Sequence, residues 1–328
     1  MPGSRASVFG EAEDFQAALS ADGVAGLLIT GRGHFRARLT QIGLDRLGLA
    51  AVEEALSRIA FVEVPAGMVL VTFPIGEGPS PISGGMKIRT GEMITLGPGQ
   101  RLHARTLGPS HWGVVRVPDE QLARYGRAVS GAGFVVPPAA RWRPPRAAVR
   151  QLQTLHRAAI RMAEARAGVL TDVQAAHGLE QQLLDALIEC LSDGVEKETT
   201  TNHRHRAILA RFEDLLSEEP SMRTADICVA LDVSERLLRE CCRRHLGMGP
   251  SRYRRLRSMQ QMRRALRSRT PDAAKVSEIA RQHGFLSLGR LAANYLDLYG
   301  ELPSATLRRA TQAGVTDLTL GRPRVKVS

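Results

Sequence analysis

The sequence predicts an α+β protein of two domains: a β-rich N-terminal barrel or sandwich, then linking helices and an all-helical C-terminal domain. Three observations carry this reading. Short β-branched or alternating apolar runs, divided by Gly and Pro, crowd residues 20–118. Beyond residue 202 the apolar spacing becomes helical. The helical region then says nearly the same thing twice, "ADICVALDVSERLLRECCRRHLGMGPS" and "SEIARQHGFLSLGRLAANYLDLYGELPS". A length of 328 residues suits two separate cores.

Composition narrows the partners. The chain carries 45 Lys+Arg against 33 Asp+Glu, a net charge of +12, as expected of a protein that meets phosphates or an anionic surface. Only Lys87, Lys197, Lys275 and Lys326 are lysines, so part of the arginine excess also fits the codon bias of a GC-rich genome. No apolar run approaches the ~18 to 20 residues that span a bilayer, and "MPGSRASVFGEAEDF" lacks the apolar core of a signal peptide. The expectation is a soluble, cytoplasmic protein without membrane contact. Cys190, Cys228, Cys241 and Cys242 show neither zinc nor disulfide spacing. Cys241 and Cys242 are read as small core residues.

Along the N-terminal region the predicted strands are "GVAGLLIT", "HFRARLTQI", "RIAFVEV", "GMVLVTFPI", "KIRTGEMITLG" and "HWGVVRV". Residues 1–135 form the β-rich domain in this reading. Residues 136–200 follow as a Pro-rich exit, "VVPPAARWRPPRAAV", two helices and a linker. The first helix, 149–168, stops at Gly168. The second starts at Thr171, which with Gln174 satisfies the capping-box pattern. Its apolar face, Leu179, Leu183, Leu187, Ile188 and Leu191, packs either on its own domain or in a dimer interface. The polar, aperiodic "VEKETTTNHRH" reads as linker.

The two copies in 201–310 align with an offset of 279 − 227 = 52 at Ile227 and Ile279, and of 300 − 247 = 53 at Gly247 and Gly300, so the second copy has one extra residue near its turn. Each copy is a short helix, a tight turn, a second helix and a Gly stop followed by Pro-Ser. Ser234 and Ser287 are placed to cap the second helices, and Gly247 and Gly300 fit the left-handed stop. Two helices joined in this way can lay the second in a DNA major groove. Between the copies, Tyr253, Leu256, Met259, Met262 and Leu266 predict an amphipathic helix that spaces the units. From 236 to 269 there are twelve arginines against one acid, Glu240. Such a one-sign block points to phosphate binding, because a solvated helix face ordinarily mixes signs. Residues 311–328 are expected to be a flexible basic tail.

These residues resemble the AraC/XylS family of bacterial transcription regulators over 204–309. The specific pieces are "DVSERLLRECCRRHLGMGPSRYRRLR" and "EIARQHGFLSLGRLAANYLDLYGELPSATLR". The resemblance implies two helix-turn-helix units in successive major-groove segments, roughly one turn (~34 Å) apart. It puts Leu238, Cys241, Cys242 and Leu246 in the first core, with Ser234 and Glu235 opening the recognition helix. Arg236, Arg239 and Glu240 then face base edges, and Arg243 lies near the backbone. Arg254 and Arg255 are assigned to phosphates. Arg can pair bidentately with guanine and Glu can accept from cytosine N4, although Glu240 is equally read as a partner for a neighbouring Arg. In the second unit the face is Ser287, Leu288, Gly289, Ala292 and Ala293, with Arg290 and Asn294 alongside. It is suited to phosphate contacts, a thymine methyl contact, or little more than position. Cys242 and Leu291 replace the family's common phenylalanine, and Asp297 stands where a basic residue is frequent.

The N-terminal stretches "LITGRGHFRARLTQIGL" and "LGPGQRLHARTLGPSHWG" resemble, less specifically, the cupin-like sensor domains placed before such units. The resemblance implies a small-molecule effector, a homodimer and, for activation, contact with RNA polymerase at promoter DNA. His34, His103 and His111 lack the H-x-H pair and carboxylate of a cupin metal site, so neither metal nor cofactor is expected. Trp112 reads as core, or as the aromatic wall of an apolar effector cavity. The function expected is a sequence-specific transcription regulator, an activator, and not an enzyme. The competing readings are a cupin-type enzyme fused to a DNA-binding unit and a non-specific architectural DNA binder. A fused DNA-repair methyl acceptor would need an N-terminal cysteine cluster, yet the first cysteine is Cys190.

Overall fold

Strands that are apolar on both faces must be covered on both faces, and the N-terminal chain solves this with layers. The computed structural model describes residues 3–76, 78–165, 173–268 and 275–309. It begins with β1 (Gly3–Phe9), α1 (Ala12–Leu19), β2 (Val24–Ile29), β3 (Ala37–Gly43), β4 (Gly48–Glu54), β5 (Arg58–Glu63) and β6 (Met68–Pro74). Then come β7 (Ile82–Ser83), β8 (Met86–Lys87), β9 (Met93–Leu96), β10 (Arg101–Arg105), β11 (Ser110–Pro118), α2 (Asp119–Ser130) and β12 (Ala139–Trp142). Helices α3 (Arg146–Ala165) and α4 (Val173–Leu191) follow, with β13 (Val195–Lys197) after them. The C-terminal helices are α5 (Thr200–Glu218), α6 (Thr224–Leu231), α7 (Glu235–Leu246), α8 (Pro250–Arg267), α9 (Val276–Gln282) and α10 (Leu288–Tyr299).

Two antiparallel sheets result. The larger has the order β1-β3-β4-β11-β6-β9-β12-β13, and the smaller β2-β5-β10-β7-β8. They do not close on one another, so the expected barrel or sandwich is an open two-sheet sandwich. Along β6, Leu70 faces the smaller sheet while Val69, Val71 and Phe73 face the opposite way, against α3 and α4. The run "GMVLVTF" is therefore continuous rather than alternating, because both faces are buried. The smaller sheet has its own outer neighbour: Leu28 and Ile59 share a core with Leu209, Phe212, Leu238 and Tyr253 of the helical region. The layers run helices, sheet, sheet, helices.

Several sequence expectations are corrected. The Pro-rich stretch does not leave the β-rich domain at 135: β12 lies inside it and pairs with β9, and buried Trp142 donates its indole N–H to Thr95 Oγ1 at 2.9 Å. "VEKETTTNHRH" is not linker, since it supplies β13, paired with β12, and the first turns of α5. The leucine face of α4 is taken up in its own domain, with Leu183, Leu187, Ile188 and Leu191 buried against α3 and the larger sheet. β1, β4, β10, α1 and α2 were not expected. Gly168, Thr171 and the tail 311–328 lie outside the described residues.

The duplicated helices appear as expected, and their turns locate the extra residue. Asp232, at φ 54, and Gly284, at φ 80, hold the same left-handed position, with 284 − 232 = 52. Val233 N–H bonds the Cys228 carbonyl at 3.0 Å, and Phe285 N–H bonds the Ala280 carbonyl at 2.9 Å. Ser287 already stands 287 − 234 = 53 from Ser234, so Leu286 is the insertion, and it is 92% exposed.

Candidate nucleic-acid interface

Helix α7 is built to present one face. Ser234 Oγ accepts the Leu237 N–H at 3.2 Å, Glu235 sits in the positive first turn, and Gly247 ends the helix at φ 76. Leu238, Cys241, Cys242 and Leu246 are buried with Phe212, Ile227 and Leu231. Burial pushes the Cys241 thiol up to about 11 and Cys242 higher still, so both are inert packing groups. Helical spacing then leaves Arg236, Arg239, Glu240 and Arg243 exposed together on the opposite side. Arg239 makes an exposed ion pair with Glu235 at 3.6 Å, an interaction water weakens and a ligand can replace. Glu240 is exposed beside them and close enough to His205 to act on its charge.

The second unit is different in character. Leu291, Tyr295 and Leu298 fill its core, and the Tyr295 hydroxyl lies 2.8 Å from Thr306 Oγ1. Ser287 holds the cap position of α10 but its side chain makes no capping hydrogen bond, contrary to expectation. Leu288, Gly289, Arg290 and Asn294 are exposed. The Asn294 amide turns back to the Arg290 carbonyl. This face offers apolar contact and one arginine rather than a hydrogen-bonding array. Asp297 pairs with Arg32 of the N-terminal half at 3.1 Å.

The arginine block does not act as one surface. Arg243, Arg244, Arg252 and Arg255 are exposed, while Arg254 is half-buried and donates to Thr224 Oγ1 at 3.3 Å. The later arginines turn to the chain itself. Arg257 bonds Ser217 at 2.8 Å and lies 3.5 Å from Glu213. Arg263, only 6% exposed, bridges Glu13 and Glu11 at 2.7 Å each and Glu301 at 3.3 Å. Arg267 holds Glu13 at 2.8 Å and Asp14 at 3.0 Å, and Arg264 bonds Gln16. Phosphate binding by the whole block is therefore corrected: its second half grips α1.

Sequence reasoning missed the docking residues. His103 Nε2 lies 2.8 Å from Glu213, which also accepts the Tyr253 hydroxyl. Burial alone would raise the Glu213 carboxyl, but His103, Arg257 and Tyr253 outweigh it and hold it below the usual range. Arg101 pairs with Asp214 at 2.9 Å. Buried Arg206 bonds Glu198 at 2.7 Å, Gln100 at 2.9 Å and the Arg101 carbonyl at 3.2 Å, and Asn202 donates to the Gly84 carbonyl at 2.7 Å. Most of these contacts join residues about a hundred positions apart, so no local pattern in the sequence marks them.

Between the sheets lies a cavity of about 90 Å³ lined by Val62, Leu70, Ile88, Leu96, Leu102 and Trp112, with Ser83 and Thr106 among its polar groups. Arg58 lines it too, but is neutralised by buried Glu54 at 3.0 Å, which also accepts Ser110 Oγ and the Trp112 indole N–H. Trp112 is thus a cavity wall. The three histidines do not converge. His103 faces α5, His111 pairs with Glu53 at 3.3 Å and His34 lies near Gly300. Among the described residues no cluster of His, Cys, Asp or Glu is placed to hold a metal ion. No helix among them is long and apolar enough to cross a membrane.

Residues 227–309 match the family model described as a helix-turn-helix domain. Over 126 residues the chain is 33% identical to the XylDLEGF operon transcriptional activator of Pseudomonas putida. The C-terminal domain is thus similar to the helix-turn-helix domains of AraC/XylS-type activators. The match covers 38% of each chain, so this protein spans about two-fifths of the length of the curated relatives it matches. A further likeness is to the probable thc operon regulatory protein of Rhodococcus erythropolis, 34% identical over 87 residues and 26% of each chain. Among solved structures, the AraC-like transcriptional activator CuxR is similar over 79% of this chain and 94% of that one, at 15% identity and a TM-score of 0.44.

Proposed function

We propose that the chain is a sequence-specific DNA-binding transcription regulator of the activator kind, with α7 as its principal reading helix. The observation that carries this is the split of α7 into a buried apolar face and an exposed face of Arg236, Arg239, Glu240 and Arg243. Arg236, Arg239 and Glu240 would read base edges. Arg243, Arg254 and Arg255 would hold phosphates, while Ser234 and Glu235 would lie at the DNA-facing start of the helix, with Glu235 orienting Arg239. In the second unit, Ser287, Leu288, Gly289, Arg290 and Asn294 would add a thymine methyl contact and a phosphate contact. The N-terminal sandwich would take a small effector, and the chain would act as a homodimer that touches RNA polymerase at promoter DNA. The effector's natural place is the intersheet cavity, whose lining favours a small and mostly apolar molecule.

The test is a titration of the full chain against DNA flanking its own gene and against random DNA, at two salt concentrations. A regulator should prefer one fragment by ~10³ to 10⁷. Arg239→Ala should weaken that fragment by about tenfold, concentrated at one base pair, and leave random DNA almost unchanged. Equal, salt-sensitive loss on both DNAs would instead leave an architectural binder.

A further inference from the structure

The two faces of β10 belong to different halves of the molecule. Successive side chains of a strand point to opposite sides. Leu102 and Ala104 turn inward and line the cavity. Arg101, His103 and Arg105 turn outward to the helical domain, and each meets a different part of it. Arg101 holds Asp214 of α5 at 2.9 Å. His103 lies 2.8 Å from Glu213, and that carboxylate also receives the hydroxyl of Tyr253 on α8. The Arg105 guanidinium lies against Gly247, where an added Cβ would overlap it, at the C-terminal end of the reading helix α7. Five residues of strand thus touch α5, α7 and α8 on one side and the cavity on the other.

The neighbouring strand repeats the alternation. Ala60 and Val62 of β5 line the cavity. Ile59 is buried in the helical core, and the Phe61 ring sits 5.0 Å from His103 and 5.1 Å beneath the Arg101 guanidinium. Nothing but the thickness of one sheet separates an occupant of the cavity from the scaffold of α7. A packed interior shifts as discrete groups rather than deforming smoothly, so a displacement on one face appears on the other.

We propose that β10 is the coupling element of this protein: a small apolar molecule in the intersheet cavity moves the strand, and the strand moves the end of α7 through Arg105 and its seat on α5 and α8. This rests on the reading of the chain as an effector-responsive DNA binder. It adds the route, and it makes the docked arrangement a regulatory contact rather than incidental packing. The reading face of α7 stays exposed in that arrangement. Control is therefore exerted on the helix's position and not by covering it.

The test uses the full chain and fills the cavity from within, by Ala104→Leu and separately by Ala60→Val in case the first does not fold. Hydrogen exchange of the α7 amides and affinity for the preferred DNA are measured for each. Both are then repeated with the outer contacts cut by Arg101→Ala, His103→Ala and Arg105→Ala. With the contacts intact, filling should change DNA affinity by about 5- to 150-fold, the usual size of coupling between sites, and change α7 exchange in step. With them cut, the change should fall below about twofold. Equal effects in both backgrounds would overturn the route, and so would unaltered α7 exchange in both filled variants. If the chain binds no DNA, the regulator reading fails by itself and the exchange measurement still decides whether β10 couples the halves.

Discussion

Gly247 shows how much one residue can be asked to do. Its φ of 76 lies in the left-handed region, and the space a Cβ would need is filled by Arg105. Gly300 occupies the same position in the second unit at φ 72, but an added Cβ there would meet only His34, at an ordinary 3.7 Å. Gly300→Ala should therefore cost about 1 to 2 kcal/mol from backbone strain alone. Gly247→Ala should cost more, because Arg105 must also move, and adding Arg105→Ala should recover the excess. Urea midpoints of the three variants check this, and equal losses for the two glycines would contradict the contact. The stop itself was legible in the sequence as Gly before Pro-Ser. The Arg105 contact was not, because it joins residues far apart in the chain and no local pattern records it.

At the scale of elements, the same distinction separates what could be read from what could not. The α8 stripe follows from its own periodicity and the buried side of α7 from the family resemblance, and both appear as expected. Strand β10, "RLHAR", escaped because its outward residues are charged, and they are charged because they bond a second domain rather than water. The start of α5 read as linker for a related reason: Asn202, His205 and Arg206 are buried polar residues, the first and last held by hydrogen bonds, which leaves no apolar period to detect. That buried polar seam gives the docking a pH dependence. Burial pushes His245 down to about 3, reinforced by His103, His205, Arg244 and Arg206, and it lowers His205 as well, where Glu240 opposes and Arg204 and Arg244 assist. His245 is neutral in the folded chain over this range and would take up a proton on unfolding below about pH 6.5, and the lowered His205 acts in the same direction. The unfolded state then binds more protons, so stability should fall as pH drops from about 6.5 towards 3. His156, lowered to about 4 by burial on the other side of the larger sheet, adds in the same direction. His245→Phe should remove up to one proton from this dependence, at most about 1.4 kcal/mol per pH unit. Urea titrations at pH 7, 5.5 and 4.5 measure it, and an unchanged slope would show that His245 does not titrate with folding.

For the whole molecule, the net positive charge is apportioned between two acceptors. Its acids are not spread evenly: Glu11, Glu13 and Asp14 gather at the start of α1 and meet Arg263 and Arg267 of α8. Arginines earlier in the block, Arg252 and Arg255 among them, remain exposed. Composition alone cannot separate these groups, because both are arginines on one continuous basic helix. The fold separates them by placing an acidic helix against one end. Each phosphate neutralised contributes about −0.9 to the slope of log affinity against log salt. If the apportioning holds in solution, Arg255→Ala should make that slope shallower by about 1 and weaken binding on all sequences alike. Arg267→Ala should leave the slope unchanged while lowering thermal stability, since Asp14 loses its partner and Glu13 keeps only Arg263. The opposite variant is sharper. Neutralising α1 with Glu11→Gln, Glu13→Gln and Asp14→Asn frees cations without adding any, so a steeper slope in that variant would mean that the released arginines reach DNA. An unchanged slope would mean that they serve only to hold the two halves of the molecule together.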